Sequence, residues 1–540
     1  MPHALAPRAF TRLPRELAPL CLASLCAAAA FAAEPTAIPN DYKRQHQNAL
    51  DLIEAGQPQQ AIEKLSALKK KFPTDAETDF MLAAAYCAVG KVDESLGFVR
   101  LAIKNGLPPA RFAAGPRELF TALRDTEDFK EIVAASPIVH GPMIGAVTDT
   151  SAKIWLRLAV DKPLPVRVTP GEGVTVAAPD RVTGETDAVA VYSVTGLTPE
   201  TEYRVEFFTM PQVAREAAVQ CRLTPPPRPG SPTRFRLAFG GGAGYVPPHE
   251  RMWTTIAKQK PDLLLLLGDN IYSDKPTSPL MQRYCYYRRQ SRPEYRALLA
   301  TTPVYSIWDD HDFGTNDCWG GPAIDEPAWK RPVWNVFTQN WVNPGYGGGD
   351  EQPGCWFSFV RGDIEFFMLD GRYYRTDPRA NNPSMLGPVQ KKWLLDRLAK
   401  SKATFKVLCS PVPWTFLAKG KSLDTWNGYQ AERTEIFDHL AEKKIDGVVL
   451  MSADRHRSDA WKIPRENGYP LFEFNSSRLT NQHVHGTMKK AIFSYNKKQS
   501  FGLVTFDTTA DDPTVQYDVV TIDGGVVHTL KLKRSELESE

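Results

Sequence analysis

The chain has 540 residues, of which 42% are hydrophobic and 24% are charged, so it is long enough for two or three domains with substantial cores. Its 65 basic and 62 acidic residues nearly cancel and are scattered along the chain, which argues against a nucleic-acid-binding protein. Beyond the N-terminus no apolar stretch reaches the roughly 18 residues of a membrane span, so no transmembrane segment is predicted in the mature chain.

The first 33 residues have the pattern of a secretory signal peptide. Basic residues precede an apolar, alanine-rich stretch from Leu17 to Ala33, and a small-x-small pattern predicts cleavage near Ala32 or Ala33. An N-terminal anchor helix is the alternative, but Pro19 interrupts the apolar run. No Arg-Arg pair precedes it, which favours a Sec-type signal. The sequence therefore predicts a secreted or periplasmic protein.

Residues 41–136 have helical periodicity with an internal repeat. Gly56 and Gly90 are 34 residues apart, and apolar positions match across that offset, which is the period of tetratricopeptide repeats. We therefore predict two tetratricopeptide-like repeats with a capping helix. Since three repeats are the usual minimum for independent stability, the segment should pack on its neighbour. It could recruit a peptide partner or serve as a helical spacer or lid.

Residues 138–224 contain short alternating apolar runs, interrupted by proline and glycine turns, and these runs predict strands. The run GLTPETEYRVEFF at 196–208, with Trp155 on an earlier strand, resembles a fibronectin type III or immunoglobulin-like sandwich. A stiff, proline-rich linker follows at 225–232.

From residue 233 to about 530 the pattern is that of an α/β domain. Near-continuous apolar runs alternate with helical stretches, which describes a sheet buried on both faces. The apolar runs lie at 235–239, 263–267, 304–308, 364–369, 405–410 and 447–452, with later ones at 501–506 and 514–522.

Three of these runs end in acidic and imidazole residues, and α/β folds place ligands at the carboxyl ends of strands. The first ends in Asp269, the second in WDDHD at 308–312 and the third in ADRH at 453–456. Singly, Asp269 could cap a helix and the 308–312 run could be a solvated loop. Together, clustered carboxylates repel unless a cation neutralises them. Oxygen and imidazole ligands without thiolate predict a hard or borderline metal ion.

A series of short motifs occurs in one order along the α/β region. The motifs are FRLAFGGG (235–242), GDNIY (268–272), WDDHD (308–312), LDGRYYR (369–375), LGPVQKKWL (386–394), DTWNGY (424–429) with Arg433, and ADRHRS (453–458). This ordered set resembles the alkaline phosphatase D (PhoD-like) family. The resemblance covers about 138–522, so the helical repeats look like an addition.

The resemblance implies a calcineurin-like metallophosphoesterase fold, with two β-sheets flanked by helices in an α/β/β/α layering. It also implies a secreted enzyme that uses iron and calcium, with zinc or manganese as alternatives. Carried over by position, Asp269 would be a bridging carboxylate and Tyr272 a phenolate ligand of the trivalent ion. Asp454 and His456 would complete the coordination.

Other positions keep more than one role open. Asp310 matches an asparagine ligand of the wider superfamily, and Asn316 is a further candidate ligand. His311 would assist the leaving group or steady the attacked phosphate. Arg372 or Arg375 could clamp phosphate oxygens or form an ion pair at a strand end.

Two positions depart from the family pattern. Many members have a metal-ligating cysteine after the first strand, whereas Gly240, Gly241 and Gly242 stand here. These glycines could admit backbone N–H groups to phosphate oxygens or make a tight turn. Ala453 replaces the usual glycine of the third motif.

His483 and His485 form another His-x-His pair. Because no acidic residue lies close to them in the sequence, we interpret them as surface or strand residues.

The sequence thus predicts a secreted, metal-dependent hydrolase of phosphate esters, in which a metal-activated hydroxide attacks in line. Monoester, diester and phospholipid substrates stay open. The alternative is a metallophosphatase-fold binding or adaptor protein that has lost activity with the missing cysteine and uses the helical repeats.

Overall fold

The structure is a computed structural model that describes residues 41–159, 162–180, 187–209 and 218–539. These residues fall within one unit, Pro39–Glu540. The predicted signal peptide at 1–33 lies outside the described residues. None of the described helices has the length and apolar character that a membrane crossing needs.

The N-terminal helices form two successive pairs, and the sequence explains where they start and stop. The first four helices are α1 (Tyr42–Glu54), α2 (Pro58–Lys71), α3 (Ala76–Ala88) and α4 (Val92–Lys104), and α5 (Ala110–Ala114) and α6 (Glu127–Ala134) follow. Gly56 and Gly90 adopt φ of +73° and +74°, a left-handed conformation that glycine accepts after α1 and α3. Asp75 caps α3 by accepting a hydrogen bond from the N–H of Thr78 at 3.0 Å. Their assignment as tetratricopeptide repeats stays a prediction.

Two small antiparallel sheets follow and share one apolar core. Their strands are β1 (Ile138–Gly145), β2 (Ser151–Leu158), β3 (Val166–Thr169), β4 (Thr175–Val176), β5 (Val189–Thr195), β6 (Tyr203–Phe207) and β7 (Val219–Leu223). The strand orders are β1-β2-β5-β4 and β3-β6-β7. Ile154 and Tyr192 of the first sheet lie in the same buried cluster as Val205 and Phe207 of the second. The fibronectin-like or immunoglobulin-like type stays a prediction.

Two larger sheets form the α/β part. Their strands are β8 (Arg234–Gly240), β9 (Leu263–Leu267), β10 (Val304–Ile307), β11 (Phe357–Arg361), β12 (Ile364–Met368), β13 (Phe405–Cys409), β14 (Val448–Ser452), β15 (Ser458–Ile463), β16 (Leu471–Ser476), β17 (Phe493–Tyr495), β18 (Ser500–Asp507), β19 (Thr514–Thr521) and β20 (Val526–Lys533). One sheet has the order β10-β9-β8-β18-β19-β20 and the other β11-β12-β13-β14-β16-β15-β17. Strands β8, β9 and β10 run parallel, as do β12, β13, β14 and β16. The predicted α/β class is confirmed.

Aromatic side chains hold these two sheets face to face. The helices around them are α7 (Met252–Lys258), α8 (Pro279–Gln290), α9 (Pro293–Leu299), α10 (Asp310–Phe313), α11 (Lys330–Asn340), α12 (Gly387–Lys400) and α13 (Gln430–Glu442). The ring centroids of Phe235 in β8 and Phe366 in β12 are 6.4 Å apart. Successive strand residues point to opposite faces, so Phe367 meets Trp393 of α12 instead, at 6.3 Å. The core therefore lies between the sheets, and α12 covers an outer face.

The helical segment, residues 41–136, packs on the α/β part through contacts between α3 and α8. We expect such packing because two repeats are fewer than the usual minimum for independent stability. Phe80 is fully buried and stacks on Tyr284, with ring centroids 6.4 Å apart. The hydroxyl of Tyr284 donates to Glu77 at 2.7 Å, and Arg111 pairs with the same carboxylate at 3.3 Å. A buried charge pair and stacked rings thus fix these helices on the α/β part.

Replacement of Phe80 tests how much this junction contributes to stability. Phe80→Ala is expected to lower the free energy of unfolding by about 3–5 kcal/mol, because it leaves a cavity between three aromatic rings. Urea denaturation followed by circular dichroism measures the change. Val389→Ala, at an exposed position of α12, is the control and should stay within about 0.5 kcal/mol of the wild type. Equal stabilities of the two variants would contradict the junction's role.

Candidate metal centre

Strand ends bring the predicted ligands to one edge of the α/β part. Parallel pairing aligns Leu267 of β9 with Ile307 of β10, so the residues that follow both strands emerge together. Asp269 and Asp454 adopt φ of +53° and +63°, and His456 adopts +41°. A left-handed backbone is costly for residues other than glycine and is characteristic of functional loops.

Asp269, Tyr272 and His456 meet directly. The hydroxyl of Tyr272 donates to Asp269 Oδ2 at 2.8 Å and lies 3.0 Å from His456 Nε2. Burial, together with the charge of Asp269, raises the pKa of Tyr272 well above its usual range, so the phenol keeps its proton in the metal-free protein. Burial lowers the pKa of His456 well below its ordinary value, which keeps the imidazole neutral and able to offer a lone pair.

Buried polar atoms without partners surround this contact. Asp269 Oδ1, Asp309 Oδ2 and His456 Nδ1 form no hydrogen bond within the described chain. Ligand atoms of Asp269, Asp310 and His311 lie within 4.8 Å of one another. Burial raises the pKa of Asp269 well above its usual range; His311 opposes this shift, and the neighbouring carboxylates add to it. Unpaired oxygen and nitrogen atoms of this kind fit a metal ion.

Asp312 has a structural task instead. Its carboxylate accepts hydrogen bonds from the N–H groups of Asp309, Asn270 and Ile271 at 2.9–3.2 Å. Burial raises the pKa of Asp312 to about 7, against the lowering effect of these donors. Asp312 thus ties the loop after β9 to the loop after β10.

Asp310 also belongs to a second acidic group. Its ligand atom lies within 4.8 Å of those of Asp317 and Asp424, and Asp310 Oδ2 accepts from the N–H of Asp317 at 2.7 Å. Lys419 pairs with Asp424 at 2.8 Å and with Asp317 at 3.2 Å. Asn316 is exposed and makes no hydrogen bond to the site among the described residues. The geometry favours Asp310 over Asn316 as the ligand position.

Arg372 is buried and fully engaged. It donates to Asp309 Oδ1 at 2.6 Å, to Asp424 Oδ1 at 2.7 Å and to the carbonyl of Cys318 at 3.0 Å. Arg375 is also buried and pairs with Asp424 at 3.0 Å. Of the two roles predicted for these arginines, the geometry favours the ion pair over the phosphate clamp.

His311 has a partner that the sequence analysis did not single out. Its Nδ1 contacts Asp274, whose other carboxylate oxygen pairs with Arg44 of α1. The ring of His311 lies 4.3 Å from the ring of Tyr272. Burial lowers the pKa of His311, but the carboxylates around it, led by Asp310, outweigh this effect and raise it to about 10. Asp274 lies two residues after Tyr272, and this closeness is the signal that could have revealed it.

Asp454 lies beside positive charge. Its carboxylate is 3.4 Å from Arg455 and 3.8 Å from Lys419. Burial raises the pKa of Asp454, but these two cations outweigh burial and lower it below its ordinary value, which keeps the carboxylate charged at neutral pH.

His456 forms a cluster with His483 and His485 that the sequence analysis missed. The Nε2 atoms of His483 and His485 are 3.1 Å apart, and the His485 ring stacks on His456 at 5.1 Å. Nδ1 of His485 lies 2.9 Å from the carbonyl of Arg455, where it can donate and leave Nε2 with a lone pair. The loop after β16 places His483 and His485 over His456. No local sequence pattern predicts this contact.

The glycines after β8 make room for neighbouring chain. A Cβ on Gly241 would lie 2.7 Å from the Cβ of Ala453 and 2.9 Å from the carbonyl oxygen of Gly268. A Cβ on Gly242, whose φ is +70°, would lie 2.8 Å from the backbone nitrogen of Arg478. The geometry favours the tight-turn role, and a cysteine at either position would require the backbone to shift.

The fold is similar to those of solved phosphatase structures. A structure of PhoD has a TM-score of 0.59 and 19% identity, and the match covers 74% of this chain and 91% of that one. The purple acid phosphatase PPD1 from yellow lupin (Lupinus luteus) seeds has a TM-score of 0.52 and 13% identity, with 73% of this chain and 75% of that one covered. The likeness shows the fold, and the donor set at the strand ends fits a metal ion.

The family follows from the sequence matches. The model of the PhoD-like phosphatase family matches residues 237–527, more than half of the chain, and the chain belongs to this family. Alkaline phosphatase D of Bacillus subtilis (strain 168) is 25% identical over 341 residues, 54% of this chain. That match spans 56% of the relative's own length. A domain of unknown function (DUF7800) matches residues 135–220.

Removal of one carboxylate tests the electrostatics of the centre. Because the folded-state pKa of Asp269 is raised, its ionisation costs stability in the metal-free protein as pH rises above about 4. Metal-free Asp269→Asn is therefore expected to have the higher Tm, with a gain that grows to roughly 2 °C or more between about pH 5 and pH 8. With metal bound, the same variant should have the lower Tm.

Calorimetric unfolding, once with a chelator and once with added metal, measures whether the Tm of the variant is higher or lower than that of the wild type in each state. Asp511→Asn, at an exposed position, is the control and should follow the wild type throughout. A metal-free Asp269→Asn protein that is less stable at every pH would refute the account.

Proposed function

We propose that the protein is an exported, metal-dependent hydrolase of phosphate esters. The observation that carries the proposal is the buried contact of Asp269, Tyr272 and His456, with unpaired ligand atoms beside it, in a chain of the PhoD-like phosphatase family. The match to alkaline phosphatase D of Bacillus subtilis spans little more than half of that protein. Export rests on the predicted signal peptide, and N-terminal sequencing of the mature protein tests it.

The proposed metal ligands are Asp269, Tyr272, Asp310, Asp454 and His456. Iron and calcium are the proposed ions, with zinc or manganese as alternatives, since carboxylate, phenol and imidazole donors suit all of them. Bound ions would polarise a water for in-line attack and neutralise charge on the phosphoryl oxygens.

His311 is the proposed proton donor to the leaving oxygen. It is half-buried beside Tyr272, and Asp274 holds its Nδ1, which leaves Nε2 as the nitrogen available to substrate. The surrounding carboxylates hold a proton on the ring by raising its pKa. Metal ions bound beside it would lower this pKa toward the range in which a general acid is effective.

The second candidate function is that of an adaptor protein without catalytic activity. The retained donor set does not favour it, because each proposed ligand position keeps a side chain able to bind metal. Recruitment of a peptide partner by the helical segment stays a separate proposal, to be tested by capture with the full chain.

The proposed function is tested by measuring the metal content and the hydrolytic activity of the same protein sample. Metal-depleted protein is reconstituted with iron, calcium, manganese or zinc and assayed with p-nitrophenyl phosphate and bis(p-nitrophenyl) phosphate. We expect turnover to be lost on chelation and restored by metal. Ferric iron bound by Tyr272 would add a visible absorption band that Tyr272→Phe abolishes. Protein that retains no metal and hydrolyses neither compound would favour the adaptor function.

Replacement of His311 separates proton transfer from metal binding. His311→Gln is expected to lower kcat by roughly 10²- to 10⁴-fold while the metal content stays unchanged, because the side chain donates a proton and does not hold the ion. Elemental analysis gives the metal content, and steady-state kinetics give kcat. His439→Gln, whose imidazole bonds the carbonyl of Leu395 on α12, serves as control. Loss of metal from His311→Gln would make His311 a ligand instead.

A further inference from the structure

The first turns of α1 reach the metal centre from the helical segment, outside the residues that the family model covers. Lys43 Nζ lies 3.6 Å from the centroid of the Tyr272 ring. Gln47 donates to the carbonyl of Tyr272 at 2.6 Å, and Arg44 donates to it at 3.3 Å. Three side chains of one helix thus converge on one proposed metal ligand.

Further contacts fix α1 in this place. Lys275 pairs with Asp51 at 2.5 Å, and the hydroxyl of Ser278 donates to Glu54 at 2.8 Å. These bonds join the C-terminal half of α1 to the loop that follows Tyr272 and to the start of α8. The backbone of Lys43 is therefore held at the centre, and binding a ligand there does not require the helix to be ordered first.

Lys43 differs from its neighbour Arg44 in having no counter-ion of its own. Arg44 pairs with Asp274, whereas Lys43 Nζ forms no ion pair or hydrogen bond with any residue that the structure describes. Its side chain is half-buried. Burial, followed by the charge of Arg44, lowers the pKa of Lys43 to about 7 against the raising effect of Asp274 and Asp269, and an anion bound beside the amine would raise it again. An ammonium group that is partly withdrawn from water, unpaired and beside a centre for anionic substrates is a binding group for an anion.

We propose that Lys43 binds a phosphoryl oxygen of the substrate and makes the centre selective for phosphomonoesters over phosphodiesters. The proposal rests on the proposed phosphoesterase function and adds the class of ester. At about pH 7 a monoester carries roughly 1.5 to 2 negative charges, because its second pKa is about 6, and a diester carries one. A fixed cation therefore gains about twice the Coulomb energy from a monoester.

The position of α1 admits one competing role, in which the helix covers the centre and keeps substrates out. Loss of the Lys43 side chain would then open the centre and raise turnover of both esters. The two roles predict changes of opposite sign.

Lys43→Met removes the charge and keeps an unbranched side chain. We expect kcat/KM for p-nitrophenyl phosphate to fall roughly 10- to 100-fold, the range for loss of a hydrogen bond to a charged group. For bis(p-nitrophenyl) phosphate about half of that free energy is lost, so the fall should be only about 3- to 10-fold. Lys43→Arg keeps the charge and should retain most of the selectivity. Lys64→Met removes the same charge from an exposed position of α2, and both rates should stay unchanged.

Inorganic phosphate gives a readout that does not depend on turnover. Its affinity for the metal-loaded full chain, measured by isothermal titration calorimetry, should weaken in Lys43→Met by a factor similar to that of the monoester. Thermal unfolding verifies that each variant is folded.

Equal losses for the two esters, a gain for either one, or unchanged phosphate affinity would each overturn the proposal and leave the hydrolase function standing. A wild-type protein that hydrolyses neither ester overturns the proposed function instead. In that case the phosphate affinities of wild type and Lys43→Met decide whether Lys43 binds anions.

Discussion

The burial of several carboxylates at one edge of the α/β part is the constraint on which the rest of the site depends. Parallel strands end side by side, so the acidic residues that follow β9 and β10 are forced together in a place with little water. Carboxylates in such a place must be neutralised by cations, bound by hydrogen-bond donors or protonated. The raised pKa of Asp269 and the partners of the other acids are consequences of this single fact.

The protein meets the constraint differently for each acid. Asp312 receives backbone N–H groups, and Asp309 and Asp424 receive the guanidinium of Arg372. The remaining charge is concentrated where Asp269 meets a phenol and an imidazole. Arg372 therefore acts as the ion-pair partner of Asp309 and Asp424. Asp269 Oδ1, in contrast, has no partner among the described residues, and an unpaired carboxylate oxygen of this kind suits a metal ion.

The helical segment takes part in the same balance. It supplies Arg44 to Asp274, which in turn holds His311, and it places Lys43, which has no counter-ion among the described residues, over Tyr272. A segment without acidic or imidazole motifs of its own thereby contributes cations to a centre built by another part of the chain. The stack of Phe80 on Tyr284 and the buried pair of Arg111 and Glu77 hold the segment on α8 in this position.

The sequence by itself determined the α/β class and predicted which strands end in candidate metal ligands, Asp269 and His456 among them, because apolar runs followed by acids and imidazoles are local patterns. Only the tertiary structure decided that Arg372 is an ion-pair partner, that Asp310 lies in the site while Asn316 is exposed, and that His485 stacks on His456. Those outcomes depend on distances between residues far apart in the chain. Periodicity and spacing carry no information about such distances, since burial and charge pairing are settled only when the sheets and the helical segment pack together.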